Sequence, residues 1–173
     1  MNTKINKMIK ISLLLSVAIV VNFLESLIVL PLPFPGVKLG LANCIGLMVL
    51  YLFKEKDYVI FNFLKLTLIA LLRTGFGYSF FIGMCGTTLA TIFTLFAYKL
   101  SKASIYGLSV IGAVFHSLGQ IIIVIIIYNN IYMINYLLIL VIFSTISGLV
   151  TAFIASVTLQ RLPKYIIDND IKK

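Results

Sequence analysis

Residues 106–128 read YGLSVIGAVFHSLGQIIIVIIIY, a run without aspartate, glutamate, lysine or arginine. An α-helix rises about 1.5 Å per residue, so a helix of this length spans roughly 34 Å. The hydrocarbon core of a bilayer is roughly 30 Å thick. The stretch therefore predicts a helix that crosses a membrane.

The rest of the chain has the same apolar character. Of its 173 residues, 61% are hydrophobic and 11% are charged, and the mean hydropathy is +1.13. Soluble domains are about 45–50% apolar and about 25% charged. A soluble fold of this size would not bury so much apolar surface, so the composition predicts an integral membrane protein.

Six apolar segments divide the chain, and residues that end a helix or favour a turn separate them. The separators include the proline-rich residues 31–35, the charged residues 54–57 and the asparagine pair at 129–130. We therefore predict a single transmembrane domain over residues 1–173, an all-α bundle of about six helices. The predicted helices cover residues 8–30, 37–53, 57–73, 78–98, 106–128 and 133–160.

Basic residues are concentrated in alternate separators, as in the cytoplasmic loops of membrane proteins. If both termini are cytoplasmic, the inner segments hold eleven of the 14 lysines and arginines. We therefore predict a multi-pass protein of the cell membrane with both termini inside. The topology then accounts for the net charge of +9. The protein is expected to be in contact with membrane lipid, and the positive charge does not indicate binding to nucleic acid.

Small residues recur on one face of the sixth predicted helix. Ser144, Gly148, Ala152 and Ala155 follow the spacing that lets a neighbouring helix approach closely. The face packs either against another helix of this chain or against another subunit.

Polar residues also occur inside the apolar segments, where a charge at the bilayer centre costs about 2.5–3.5 kcal/mol. Such residues persist when they are paired or when they line a cavity that contains water. Four predicted helices carry them between the middle of the membrane and the outer surface, which is typical of a pocket open to the outside. The predicted substrate-binding residues are Glu25, Lys38, Asn43, Lys65, Arg73, His116 and Gln120.

Positive charge outnumbers negative charge in this set, because Lys38, Lys65 and Arg73 stand against the single acid Glu25. A cationic cavity of low dielectric favours a small anion such as a carboxylate or a phosphate. In the alternative interpretation, Glu25 forms a structural ion pair with one of these cations. The proline-rich loop at residues 31–36 is interpreted as a rim over the pocket or as a tight connection.

Three blocks of the sequence resemble those of a known membrane family. Residues 25–28 (ESLI) and 31–43 (PLPFPGVKLGLAN) resemble the signature of the Gx transporter family, also named heptaprenyl diphosphate synthase component I. Leu72-Arg73 and the glycine-rich turn after it resemble the next block, and residues 109–120 (SVIGAVFHSLGQ) resemble the third. The third block departs from the family pattern at Ser117, where asparagine is usual.

The resemblance implies a fold similar to that of the S components of energy-coupling-factor transporters. Those proteins capture a vitamin-like molecule from outside and depend on a coupling subunit and two ATPases. The sequence contains no G-x-x-x-x-G-K-[ST] phosphate-binding loop, so other chains would supply the ATPases. It also contains no cofactor motif, and Cys44 and Cys85 lack a metal-ligand spacing. The resulting hypothesis is a substrate-binding transporter subunit that takes up a small anionic molecule.

Two other functions are weighed against this one. Synthesis of prenyl diphosphates requires Mg²⁺ held by aspartate-rich motifs, whereas Asp57, Asp168 and Asp170 form no such motif. The chain is therefore predicted not to be an enzyme, although it can be a non-catalytic component of heptaprenyl diphosphate synthesis. An ion or proton path through Glu25, Lys65 and His116 ranks last, because too few titratable groups follow across the inner half of the membrane.

Overall fold

The computed structural model describes residues 3–27, 40–100 and 103–162, and it contains helices but no strand within these ranges. The predicted all-α fold is confirmed. A π-helical turn (Ala70–Thr74) follows α3, and a 3₁₀ turn (Ile131–Asn135) precedes α6. The α-helices are α1 (Thr3–Leu27), α2 (Ala42–Leu52), α3 (Glu55–Ile69), α4 (Tyr78–Leu100), α5 (Ile105–Tyr128) and α6 (Tyr136–Arg161).

Four of these elements are long and apolar enough to cross a membrane, namely α1, α4, α5 and α6 with its preceding turn. They support a multi-pass membrane protein. The helix α2 has only 11 residues, which is about 16 Å at the rise of an α-helix. The helix α3 has 15 residues, and the π-helical turn prolongs it to Thr74.

Glycines bring α4 and α5 into backbone contact. A Cβ atom built on Gly119 of α5 would lie 2.7 Å from both the Cys85 carbonyl oxygen and the Gly86 Cα atom of α4. Further along the pair, the rings of Phe93 and Phe115 stack with centroids 3.6 Å apart and planes inclined by 8°. Small residues allow this close approach, which supplies the packing contacts that hold membrane helices together.

The small-residue face of α6 packs against the other side of α5. A Cβ atom on Gly148 would lie 3.0 Å from the Val110 Cα atom and 3.2 Å from the Ser109 carbonyl oxygen. Ala152 and Ala155 are fully buried on the same face. The predicted face therefore makes a contact within the chain, and α4, α5 and α6 form one tightly packed wall.

The remaining helices complete the bundle around α2. The short helix contacts α1, α3, α5 and α6, so nine of its 11 residues are buried. The helix α1 packs on α2 and α3, where Ala18 is fully buried while Leu13 and Leu24 are exposed. The helix α3 joins this half of the bundle to α4.

Two ion pairs connect helices at the end of the bundle that carries most of the basic residues. Lys7 Nζ lies 2.6 Å from Asp57 Oδ2, and Lys99 Nζ lies 2.7 Å from Glu55 Oε2. The Lys54 backbone N–H also donates to Asp57 Oδ2 over 2.9 Å and so caps the start of α3. The first turn of α3 is thereby attached to α1 and α4.

The contact between α4 and α5 predicts the result of one pair of substitutions. Gly119→Ala should lower the free energy of unfolding by about 1–3 kcal/mol, because the added methyl group overlaps the backbone of α4. Gly107→Ala is the matched control on α5, since its Cβ would meet only the Ala103 Cβ at 3.7 Å and the Ser104 Oγ at 3.8 Å. Thermal unfolding in detergent measures both effects, and equal midpoints for the two variants would contradict the packing described here.

Candidate functional site

A polar cleft lies between the two halves of the bundle and receives side chains from α2, α3, α4, α5 and α6. The space free of atoms is about 530 Å³, including the part open to the surroundings. Among the lining residues, Leu47, Leu108, Ala90 and Ala113 are the only apolar ones apart from glycine. The polar lining consists of Asn43, Tyr58, Asn62, Lys65, Thr87, Thr91, Thr94, Ser109, His116, Ser147 and Thr151.

One end of the cleft is defined by Gly40, Asn43, Lys65 and His116, and we call it the lysine end. Lys65 Nζ donates a hydrogen bond to Asn43 Oδ1 over 2.8 Å. Lys65 is only 8% exposed, whereas Asn43 is exposed. Lys65 lies ten residues after the start of α3, or about 15 Å along the helix axis, so the regular helix carries an ammonium group deep into an apolar bundle.

Glu25 attaches α1 to the start of α2. Its Oε1 atom accepts a hydrogen bond from the Gly40 backbone N–H, and the residue is 6% exposed. Gly40 has a φ of +67°, a left-handed conformation that favours glycine. The Gly40 carbonyl oxygen then accepts from the Asn43 N–H over 2.8 Å. The carboxylate therefore fixes the turn that presents Asn43 to Lys65.

His116 reaches the lysine end from α5, and a glycine on α4 makes room for it. A Cβ atom on Gly86 would lie 3.0 Å from His116 Cε1 and 3.1 Å from Nδ1. The imidazole is thus packed against the backbone of α4 while it lines the cleft. The same glycine that allows the helices to approach also positions this side chain.

The other end of the cleft is lined by Asn62, Thr91, Thr94, Ser109 and Thr151, and we call it the hydroxyl end. All five residues are buried. The Ser109 and Thr151 hydroxyl oxygens lie 2.9 Å apart, and Asn62 Nδ2 donates to Thr91 Oγ1 over 3.3 Å. These groups are uncharged and include both donors and acceptors.

Three of the predicted residues line the cleft, namely Asn43, Lys65 and His116, and Lys65 is bonded to Asn43. Glu25 lies behind them and reaches the cleft through its bond to Gly40. Among the described residues, Glu25 forms no ion pair with a lysine or an arginine. Its carboxylate has a backbone partner and also attracts Lys65 electrostatically, while a pair with Lys38 falls outside the described residues.

The other predicted residues lie elsewhere. Arg73 is exposed in the π-helical turn, where the Gly75 N–H bonds to the Ala70 carbonyl oxygen over 2.8 Å. Arg73 does not line the cleft. Gln120 is half-buried and also lies outside the lining. Lys38 and the loop at residues 31–36 fall outside the described residues.

Most of the hydroxyl end is not evident from the sequence. Threonine in a membrane helix often bonds to the carbonyl one turn earlier in its own helix, so its presence alone does not indicate a site. A signal exists in the spacing, because Tyr58, Asn62 and Lys65 share one face of α3. The threonines at 87, 91 and 94 repeat the same spacing on α4.

Comparison with known proteins gives one family match. The model of the family described as heptaprenyl diphosphate synthase component I matches residues 14–158. No curated protein and no solved structure matches the chain.

The role of Glu25 predicts a difference between two substitutions. Glu25→Gln keeps an oxygen that accepts from the Gly40 N–H and should therefore be tolerated. Glu25→Leu leaves that N–H without its acceptor and should lower the free energy of unfolding by about 1–3 kcal/mol. Thermal unfolding in detergent compares the two, and equal damage by both variants would show that the negative charge, not the hydrogen bond, is the essential feature.

Proposed function

The chain belongs to the heptaprenyl diphosphate synthase component I family, and we propose that it is the substrate-binding membrane subunit of a transporter similar to the energy-coupling-factor type. The proposed substrate is a small anionic molecule that binds in the cleft. Other chains, a coupling subunit and ATPases, would supply the energy, and this chain itself would catalyse no reaction.

The position of Lys65 is the observation that carries the proposal. An ammonium group has three N–H donors, and Asn43 is the acceptor found for it among the described residues. The neutral amide does not balance the positive charge. The Glu25 carboxylate is near enough to attract Lys65 electrostatically, but among the described residues it forms no ion pair with it, so an opposite charge in direct contact is missing. An anion in the cleft would supply that charge and accept the other donors.

The polar lining supports the same function. A membrane protein gains stability from apolar contacts and from hydrogen bonds between its helices, so its interior does not need a cleft with donors and acceptors on five helices.

The family description favours a second candidate, a non-catalytic membrane component of heptaprenyl diphosphate synthesis. A diphosphate is also an anion and would pair with Lys65. The two candidates differ in the proteins that accompany the chain, because a synthase component would associate with a prenyl-transferring subunit and a transporter component with ATPases.

Charge removal in the cleft tests whether an anion binds there. Native mass spectrometry of the full chain, extracted gently from its own membrane, should show a bound small molecule that Lys65→Met loses. Lys56→Met removes an exposed lysine from the same helix and should retain the molecule. Equal retention by both variants would refute the role of Lys65.

The same spectra separate the two candidate functions. Copurified ATPase and coupling subunits would support the transporter subunit. A soluble prenyl-transferring subunit without ATPases would instead establish the synthase component.

The proposed orientation places both termini in the cytoplasm, because the basic residues are concentrated at one end of the bundle. Ser79 is exposed near the opposite end, at the start of α4, and Lys56 is exposed near the basic end. In intact cells, a membrane-impermeant maleimide should label Ser79→Cys but should label Lys56→Cys only after permeabilisation. The parent chain with its two native cysteines is the control, and the reverse labelling pattern would invert the topology.

A further inference from the structure

We infer that the hydroxyl end of the cleft is a second subsite, which binds an uncharged hydrogen-bonding group of the substrate. The substrate would then carry an acidic group at one end and a neutral polar group, such as an amide, a ureido group or a hydroxyl, at the other. The inference rests on the proposed function, since the acidic group is the one assigned to Lys65.

Thr94 provides the first argument. The residue is 1% exposed, lines the cleft, and has a buried hydroxyl oxygen without a hydrogen bond. The Tyr58 side chain is close enough to interact with Thr94, although the contact lacks the geometry of a full hydrogen bond. A buried polar group left unsatisfied costs about 1–3 kcal/mol, and a ligand group in the cleft would remove this cost.

The other threonines of the bundle show that this arrangement is unusual. The hydroxyl of Thr88, also on α4, donates to the Met84 carbonyl oxygen over 2.7 Å, and that of Thr158 donates to the Ile154 carbonyl oxygen over 2.7 Å. Thr94 makes no such bond to its own helix. Its hydroxyl is close to Gly112 of α5, where an added Cβ atom would lie 2.8 Å away, so the glycine leaves room for it.

The chemistry of the neighbouring side chains indicates what this subsite would bind. Asn62, Thr91, Ser109 and Thr151 are all neutral, and together they present donors and acceptors. A neutral amide or hydroxyl matches such a set, whereas an anion would lie there without an opposite charge.

The two ends are separated by a distance that a small molecule can span. Tyr58, which lies beside Thr94, precedes Lys65 by seven residues on α3, and this spacing corresponds to about 10 Å along the helix axis. The lining of the cleft combines polar groups with apolar ones, which include Leu47 and Leu108. An isoprenoid chain would leave the polar groups unpaired, so a bipolar molecule fits the cleft better than a prenyl diphosphate does.

Three probes test the inference on the full chain in lipid nanodiscs. The monoamide of suberic acid has a carboxylate and a neutral amide at opposite ends, octanoate has the same carboxylate with an apolar end, and geranyl diphosphate has an anionic group with an isoprenoid chain. Isothermal titration should show that the monoamide binds about two- to tenfold more tightly than octanoate, as expected for one or two neutral hydrogen bonds.

Substitutions on α4 then test whether Thr94 causes the tighter binding of the monoamide relative to octanoate. Thr94→Val keeps the shape of the side chain but removes the hydroxyl, so it should abolish the advantage of the monoamide and leave octanoate binding unchanged. Thr94→Ser restores a hydroxyl and should restore the advantage. Thr88→Val is the matched control, because the Thr88 hydroxyl bonds to its own helix, and it should have no effect on either probe.

The outcomes distinguish this inference from the function on which it rests. If octanoate or geranyl diphosphate binds as tightly as the monoamide, or if no probe binds at millimolar concentration, the second subsite is refuted. If carboxylate binding depends on Lys65 but the monoamide has no advantage, the subsite fails while the anion site stands. If Lys65→Met leaves the affinity for every probe unchanged, the proposed anion site itself fails.

Discussion

The backbone contact between α4 and α5 is the constraint on which the rest of the bundle depends. Where Gly119 meets Cys85 and Gly86, no side chain separates the helices, so larger side chains are displaced to the edges of the contact. His116 and Thr94 are on the edge that faces the cleft. Because Gly148 also brings α6 against α5, three helices form a firm wall. The polar lining of the cleft is largely built on this wall, and α2 and α3 close the opposite side.

Polar groups in the bundle follow the rule that each needs a partner in the absence of water. The Glu25 carboxylate bonds to the Gly40 N–H, Asn43 bonds to Lys65, and Ser109 lies within hydrogen-bonding distance of Thr151. Three groups in or beside the cleft depart from this rule. The Lys65 ammonium has no ion-pair partner among the described residues, and neither the second Glu25 carboxylate oxygen nor the Thr94 hydroxyl has a hydrogen bond. Lys65 and Thr94 lie at opposite ends of one space. A bundle selected for stability alone would contain neither, and their common position is the physical basis for assigning a function to the cleft.

The sequence predicts the helical elements well, because apolar segments and their charged or turn-forming separators are strong signals. Lys65 and His116 were predicted for the same reason, since each is conspicuous within an apolar segment. Arg73 is predicted to face the pocket, but it is exposed in the π-helical turn at Ala70–Thr74 and does not line the cleft. Thr151 gives no signal of its own, and Thr91 gives one only through its spacing from Thr87 and Thr94. Their hydroxyls can bond either within a helix or between helices, and only the packing of α4 against α5 and of α5 against α6 decides between these alternatives.

The short length of α2 has a consequence for the biosynthesis of the protein. A segment of 11 residues is too short to span the hydrocarbon core, so hydropathy alone does not hold it in place as the chain leaves the ribosome. Its neighbours α1 and α3 are made at about the same time, but α5 and α6, which also contact it, are made later. The helix therefore reaches its final surroundings only after the last helix has been inserted. Assembly of the cleft is consequently a late, post-insertion step, and truncation of the chain before α6 would leave α2 without part of its enclosure.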